Sequence, residues 1–186
     1  GDLSVVTDPL GRESRQFVDA VGRVTATTLP GGQQTHFSYN ADNELTSVKM
    51  PSGAETAIEY DADGDPISIT DPRGGETTAT YDVMDRIESE TDPLEHNAER
   101  TYDKADNVVK AVDRRGNVSE FAYDPLGRLA SASFGVSGET AESTIEYEYD
   151  DANRLIGVDD SASGEYVLSY DNLDRLEGLE GPNGSV

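Results

Sequence analysis

Apolar and polar side chains alternate along this chain in runs of about six residues, the length of an ordinary strand. In one kind of run Phe37, Ile58, Ala79, Phe121, Tyr147 and Leu168 each stand two residues before a tyrosine, or in one case before Tyr149 as a tyrosine themselves. Ser38, Glu59, Thr80, Thr101, Glu148 and Ser169 occupy the position between. A period of two places the first set on one face of a strand and the second on the other. A second kind of run opens on an apolar residue, at Val24, Leu45, Ile87, Val108, Leu129, Leu155 and Leu176, and only Pro66 breaks this slot. Each pair of runs predicts an antiparallel strand pair, and no segment carries a helical pattern.

The runs recur with a fixed period. Tyr39, Tyr60, Tyr81, Tyr102 and Tyr123 are 21 residues apart, Tyr149 follows after 26, and Tyr170 after 21 again. Val18 fills the tyrosine slot one period before Tyr39, so the chain contains eight modules and one five-residue insertion within residues 129–148. Each tyrosine slot is followed by Asp or Asn, from Asp19 and Asn40 to Asp150 and Asp171. Such side chains close a turn by accepting from a backbone N–H further on. Three residues later stand Gly22, Asn43, Gly64, Asp85, Asp106, Gly127, Asn153 and Asp174. These are the residue types that tolerate a left-handed backbone, so the slot predicts positive φ in a tight turn. Half a module away Pro9, Pro30, Pro51, Pro72 and Pro93 mark a second turn, with Gly11, Gly32, Gly53 and Gly74 two residues after the first four.

A single hairpin cannot bury its own apolar face, so the architecture comes from stacking neighbours. The expected fold is all-β: about eight 21-residue hairpin repeats forming one open, twisted or spiralling antiparallel sheet. Tyrosines two strands apart lie roughly 9.6 Å from one another, with the aliphatic slot between them. Together they are expected to fill one face as a ladder whose register a one-residue slip would destroy. The unbroken period predicts a single domain over residues 1–186. Both ends fall inside the repeat, so the chain is expected to be an interior piece of a longer protein.

Charge narrows the function classes. The chain has 38 acidic and 14 basic residues, for a formal net charge of -24, and only three of the basic residues are lysines. A nucleic-acid partner requires a basic stripe, which this pattern excludes. No apolar stretch approaches the length of a membrane-spanning helix, so no membrane insertion is expected. The absence of cysteine rules out disulfides and thiol chemistry.

Candidate chemistry is sparse. His36 and His96 are the two histidines and fall in different module slots, both expected at the surface. Asp61, Asp63 and Asp65 imitate the start of a calcium loop, but Pro66 stands where a glycine is required and the closing glutamate is missing. Arg23, Arg86, Arg128, Arg154 and Arg175 share one slot, which Glu44, Asp65 and Asn107 take in other modules; these arginines are expected to pair with turn aspartates. No two carboxylates stand apart as a catalytic pair. Accordingly no catalytic residue, cofactor-binding residue or metal ligand is assigned, and the chain is not expected to be an enzyme. The insertion, with Phe134 and Val136, is the place to look for an individual contact, because loops carry function in repeat proteins.

The segment Tyr123-Asp124-Pro125-Leu126-Gly127-Arg128-Leu129, with near-copies at Tyr81–Ile87 and Tyr170–Leu176, resembles the signature of Rhs/YD-repeat proteins. Asp8-Pro9-Leu10-Gly11-Arg12 and Asp71-Pro72-Arg73-Gly74 supply the intervening turn. That family winds hairpins into a spiral β-shell in polymorphic toxins, insecticidal toxin complexes and teneurin cell-surface receptors. The resemblance implies a structural segment of a shell that encloses or carries a toxin or other passenger. The alternative is a secreted or cell-surface adhesion module binding proteins or glycans. The autoproteolytic core motif and variable toxic domain of bacterial members have no counterpart here. The partners implied are flanking modules of the same longer chain, or another copy meeting it through open sheet edges.

Overall fold

In a computed structural model, residues 3–185 are described, and every regular element among them is a strand. The chain divides into two compact units, residues 1–95 and 96–186. The first contains β1 (Leu3–Thr7), β2 (Glu13–Val18), β3 (Val24–Thr28), β4 (Gln34–Tyr39), β5 (Leu45–Lys49), β6 (Glu55–Tyr60), β7 (Pro66–Thr70), β8 (Glu76–Tyr81) and β9 (Ile87–Thr91). The second contains β10 (Asn97–Tyr102), β11 (Val108–Val112), β12 (Val118–Tyr123), β13 (Leu129–Phe134), β14 (Ser143–Tyr149), β15 (Leu155–Asp160), β16 (Gly164–Tyr170), β17 (Leu176–Gly181) and β18 (Gly184–Ser185). Within each unit every strand pairs antiparallel with the next in sequence, giving an open meander of hairpins. The all-β hairpin array predicted from the alternation is the fold observed.

The two turns of a module have one geometry. At the tyrosine end, the Asp19 N–H donates to the Arg23 carbonyl at 2.9 Å and the Gly22 N–H to the Asp19 carbonyl at 3.2 Å. At the proline end, Leu29 donates to Gln33 at 2.9 Å and Gly32 to Leu29 at 2.8 Å. Both are three-residue loops in which a type I turn is followed by one left-handed residue. The eight predicted positions all have positive φ, including Asn43 (71°), Asp85 (57°), Gly127 (77°) and Asp174 (59°). Gly11, Gly32, Gly53 and Gly74 adopt it at the other end, as does Gly116 after a turn where Arg114 replaces proline. At Glu95 the chain forces the same conformation, φ 64°, on a residue with a Cβ.

Strict alternation fails at one point in every module. Tyr39 pairs with Leu45 while Ser38 pairs with Ser47, which leaves Thr46 unpaired in a bulge. The same register shift leaves Thr25, Ile67, Glu88, Val109, Ala130, Ile156 and Glu177 unpaired. A bulge moves later residues of the outgoing strand to the opposite face from the one that alternation assigns. Hence Val48 pairs with Phe37, and Ile69 with Ile58, on the tyrosine side of the sheet.

The ladder of tyrosines and aliphatics is present, yet it does not make a buried core. Along β6 exposed Glu55, Ala57 and Glu59 alternate with half-buried Thr56, Ile58 and Tyr60. Among the described residues the buried hydrophobic ones are Ala26 and Ala132, and Ser68 is the buried polar one. Accessible surface totals 12631 Å², against roughly 8,700 Å² for an ordinary folded monomer of this mass. The sheets are single layers, held by ladder hydrogen bonds and by side chains lying along the tyrosine face.

Candidate functional site

The repeated chemistry of the chain sits at the tyrosine turn. In six modules the slot tyrosine's hydroxyl reaches back across the hairpin stack to the carbonyl of the apolar slot in the preceding module. Tyr39 donates to Val24 at 3.0 Å, Tyr60 to Leu45 at 2.9 Å, Tyr81 to Pro66 at 3.0 Å and Tyr123 to Val108 at 3.1 Å. Tyr149 reaches Leu129 at 3.0 Å across the insertion, and Tyr170 reaches Leu155 at 2.8 Å. The acceptors stand next to the bulges, where the ladder is interrupted. Pro66 serves as well as leucine because only its carbonyl and its first-in-strand position are used.

The following Asp or Asn organises the loop. Asp124 Oδ1 accepts from the N–H groups of Leu126 (2.9 Å) and Arg128 (3.0 Å), while Oδ2 takes Arg128 Nε at 2.6 Å. These bonds to Arg128 hold the Asp124 carboxyl below the ordinary carboxylate value, outweighing a smaller opposing effect of desolvation. Asp19, Asp82, Asp150 and Asp171 are lowered in the same way by Arg23, Arg86, Arg154 and Arg175. At the proline-end turns, Asp8, Asp71 and Asp113 are also lowered by hydrogen bonds from their own loops.

The arginine then ties one module to the next. Arg23 lies 4.9 Å from the Tyr39 ring centre, with Nη1 donating to Asn43 Oδ1 at 2.9 Å and to the Asn40 carbonyl at 3.1 Å. Arg128 lies 4.5 Å from Tyr149 and donates to Asn153 Oδ1 at 2.9 Å. Arg154 lies 4.9 Å from Tyr170 and reaches Asp174 Oδ1 at 2.6 Å. Each guanidinium is thus caged by its own turn aspartate, the next tyrosine ring and the side chain at the next left-handed position. The expected arginine–aspartate pairing is observed; the cation–π stack and the reach into the next module were not expected. The 21-residue spacing of Arg and Tyr slots was the available signal, but only the curvature of the turn brings them together.

Other candidates stay apart. His36 and His96 are both exposed. His36 pairs across the ladder with Lys49 beside an open cleft of about 520 Å³ whose walls include Gln33, Gln34, Met50 and Pro51. Asp61 caps its own loop, accepting from Asp63 and Asp65 N–H groups at 3.0 and 2.9 Å. Among the described residues no group of three or more His, Asp or Glu side chains is arranged to hold a metal. The insertion folds back on the sheet: Phe134 stacks edge-on against Phe121 at 6.4 Å and the Val136 N–H donates to the Val118 carbonyl at 3.0 Å. Phe134 therefore has a ring partner within the chain, and Val136 is anchored through its backbone.

The same repeat recurs in known proteins. Residues 18–55 and 60–95 match the RHS Repeat family, and residues 78–186, more than half the chain, match the Teneurin YD-shell family. The chain belongs to the YD-shell family. No curated protein matches it in sequence. Among solved structures, TcdB2-TccC3 without its hypervariable C-terminal region aligns over 91% of the chain at 15% identity and a TM-score of 0.59. The TcdB2-TccC3-Cdc42 structure aligns over 95% at 14% identity and a TM-score of 0.56. A Photorhabdus luminescens Tc holotoxin pore with a TccC3 mutation aligns over 91% at 15% identity and a TM-score of 0.58. This YD-shell chain spans only 12–13% of the length of those solved chains. Such likeness establishes a shared fold.

Proposed function

We propose that this chain is a non-catalytic wall segment of a YD-repeat shell that encloses or carries a toxin or other passenger domain. The observation that carries the reading is that each unit is a single layer of strands in which tyrosine-bearing positions are half-covered while the positions between them, as at Glu55, Ala57 and Glu59 of β6 and Glu165, Val167 and Ser169 of β16, are exposed. A sheet of this kind divides two spaces. Its stability comes from lateral repetition, because each module bonds its neighbours through ladder, tyrosine hydroxyl and arginine cage. The tyrosine period continues from one unit into the next, from Tyr81 to Tyr102, and is broken only by the five-residue insertion before Tyr149, which supports treating residues 1–186 as one repeat array acting as a piece of a longer wall.

Flanking modules of the longer chain are the natural partners. The strand edges at residues 3–7 and 176–181 are where they would add, or where a second copy would pair. Asp2, expected from the repeat to belong to the first edge, lies outside the described residues. Strand β18 pairs with β17 only at Glu180 and Gly181, so most of the outer edge of β17 is uncovered among the described residues. A secreted or cell-surface location fits the acidic, lysine-poor composition. The match to the teneurin shell also favours a second reading, an extracellular adhesion module.

The deciding experiment is electron cryomicroscopy of the full-length protein, with any C-terminal domain labelled. A closed wall with the label inside is expected. Labelled density outside an open sheet, with the polar face bound to another protein or a glycan, would select the adhesion reading. Hydrogen exchange on residues 1–186 gives an independent check. Slow exchange in both end strands, equal to that around Tyr81, together with a monomer at high concentration, would refute the wall-segment reading.

A further inference from the structure

Each arginine cage is closed by the module that follows it, and the cage of Arg175 is open. Its own turn grips it as the others are gripped: Nε lies 2.8 Å and Nη2 2.7 Å from Asp171 Oδ2. The same two distances are 2.6 and 2.6 Å for Arg128 on Asp124, and 2.7 and 2.6 Å for Arg154 on Asp150. In those two modules Nη1 reaches the next loop and the next tyrosine ring covers the guanidinium. Among the described residues neither ring nor loop covers Arg175. Its side chain is 72% exposed, against 28%, 24% and 31% for Arg23, Arg128 and Arg154. Leu176 repeats the contrast. The carbonyls of its equivalents Leu45, Leu129 and Leu155 each accept a tyrosine hydroxyl from the next module, and those residues are half-buried. Leu176 is exposed, and its carbonyl receives no side-chain donor among the described residues.

The partner that would close this cage has a defined form. Tyr39, Tyr149 and Tyr170, which cover the three closed cages, each end an incoming strand, one that leads into a tyrosine turn. The strand beside β17 must therefore be an incoming one that ends on a tyrosine and is followed by Asn or Asp in the left-handed slot. Strand β18 is the start of such a strand: it opens on Gly184 at φ 119° and pairs Gly184 with Gly181 and Ser185 with Glu180. Left-handed Gly32, Gly53, Gly74 and Gly116 likewise precede the strands that end at Tyr39, Tyr60, Tyr81 and Tyr123. A second copy of the chain does not fit. Its first strand, β1, is an outgoing one like β17, and its first incoming strand, β2, ends on Val18 and is followed by Gly22 in the left-handed slot. It would bring neither ring nor side-chain oxygen. A guanidinium already fixed by two bonds to Asp171 loses little further freedom on being covered, so Arg175 is preorganised for an aromatic face and an acceptor.

We propose that Arg175, Asp171 and the Leu176 carbonyl form a half-built socket on the edge of β17, and that its occupant is a tyrosine-bearing strand continuing β18, whose ring stacks on the guanidinium and whose hydroxyl bonds the carbonyl. The proposal rests on the wall-segment reading for the origin of that strand. The test is an NMR titration of the 186-residue chain with a synthetic peptide of residues 34–45, which carries Tyr39 and Asn43, beside the same peptide with Tyr39→Leu. The tyrosine peptide is expected to slow amide exchange along β17, to move the Arg175 side-chain protons upfield as an aromatic face does, and to bind several-fold more tightly than the leucine peptide. Arg175→Met should remove the difference between the peptides, and Arg175→Lys, which keeps the charge but not the two-point grip, should reduce it. No binding, equal binding of both peptides, or a preference that survives Arg175→Met would each overturn the proposal. So would self-association of the chain that Arg175→Met abolishes, since a second copy would then be the occupant. None of these results decides the wall-segment reading, which is tested by where the labelled domain lies in the full-length protein.

Discussion

Three residue types hold each tyrosine turn, and each can be tested alone. Tyr60→Phe removes only the hydroxyl that bonds the Leu45 carbonyl. Thermal or urea unfolding should show a loss of about 0.5–1.5 kcal/mol, the usual net value of one such bond. Gly127, at φ 77°, has open space around a Cβ, so Gly127→Val acts through backbone strain, not collision. That strain costs on the order of 1–3 kcal/mol. Glu59→Val, at an exposed strand position, should cost less; equal melting temperatures for the two would remove the left-handed turn from the account. Glu95 is the converse case, a residue with a Cβ held at φ 64°. Glu95→Gly should raise stability by about 1 kcal/mol, because glycine alone adopts this region freely.

At the scale of the hairpin, the arginine cage couples modules that the ladder already pairs. Arg128→Met keeps the aliphatic stem but loses the stack on Tyr149, a contribution of roughly 0.5–1 kcal/mol at such a half-exposed site. A double-mutant cycle of Arg128→Met with Tyr149→Leu should recover a coupling of that order, whereas additive losses would mean that the ring and guanidinium act independently. The turn aspartates also set a pH dependence. Asp8, Asp19, Asp71, Asp82, Asp113, Asp124, Asp150, Asp160 and Asp171 are all held below the ordinary carboxyl value in the folded chain by hydrogen bonds from their own loops. A lowered folded value stabilises above the unfolded value, and the contribution disappears as pH falls through the folded one. Asp65 has the opposite sign, losing stability as it ionises. Nine against one predicts that, in about 1 M salt where long-range repulsion is screened, the melting temperature falls as pH drops below the ordinary carboxyl value. A flat profile there would mean that the loop bonds contribute nothing.

For the whole molecule, a net charge of -24 is the dominant electrostatic fact. Mutual repulsion opposes folding at neutral pH and is relieved by counterions. Added sodium chloride should therefore raise the melting temperature; a flat or falling curve would show repulsion to be a minor contribution. The absence of a core makes stability depend on neighbouring modules more than on any single buried side chain. Removing a terminal module should consequently loosen the adjacent one first, which hydrogen exchange would read as a gradient from the cut end.

Strand pairing, turn positions and left-handed residues were legible from the sequence because they are local. A period of two, an Asp that caps its own loop and a Gly or Asn slot report conformations that neighbouring residues determine by themselves. The bulges at Thr46 and its equivalents were not legible, since an unpaired residue has no chemical mark of its own. The arginine cage was half legible: Asp124 to Arg128 is a local pair, whereas Arg128 meets Tyr149 only after bulge and turn have set where the next module lies. Local chemistry thus determined the hairpin, and tertiary stacking decided what each hairpin presents to the next, because that depends on distances between residues some twenty positions apart.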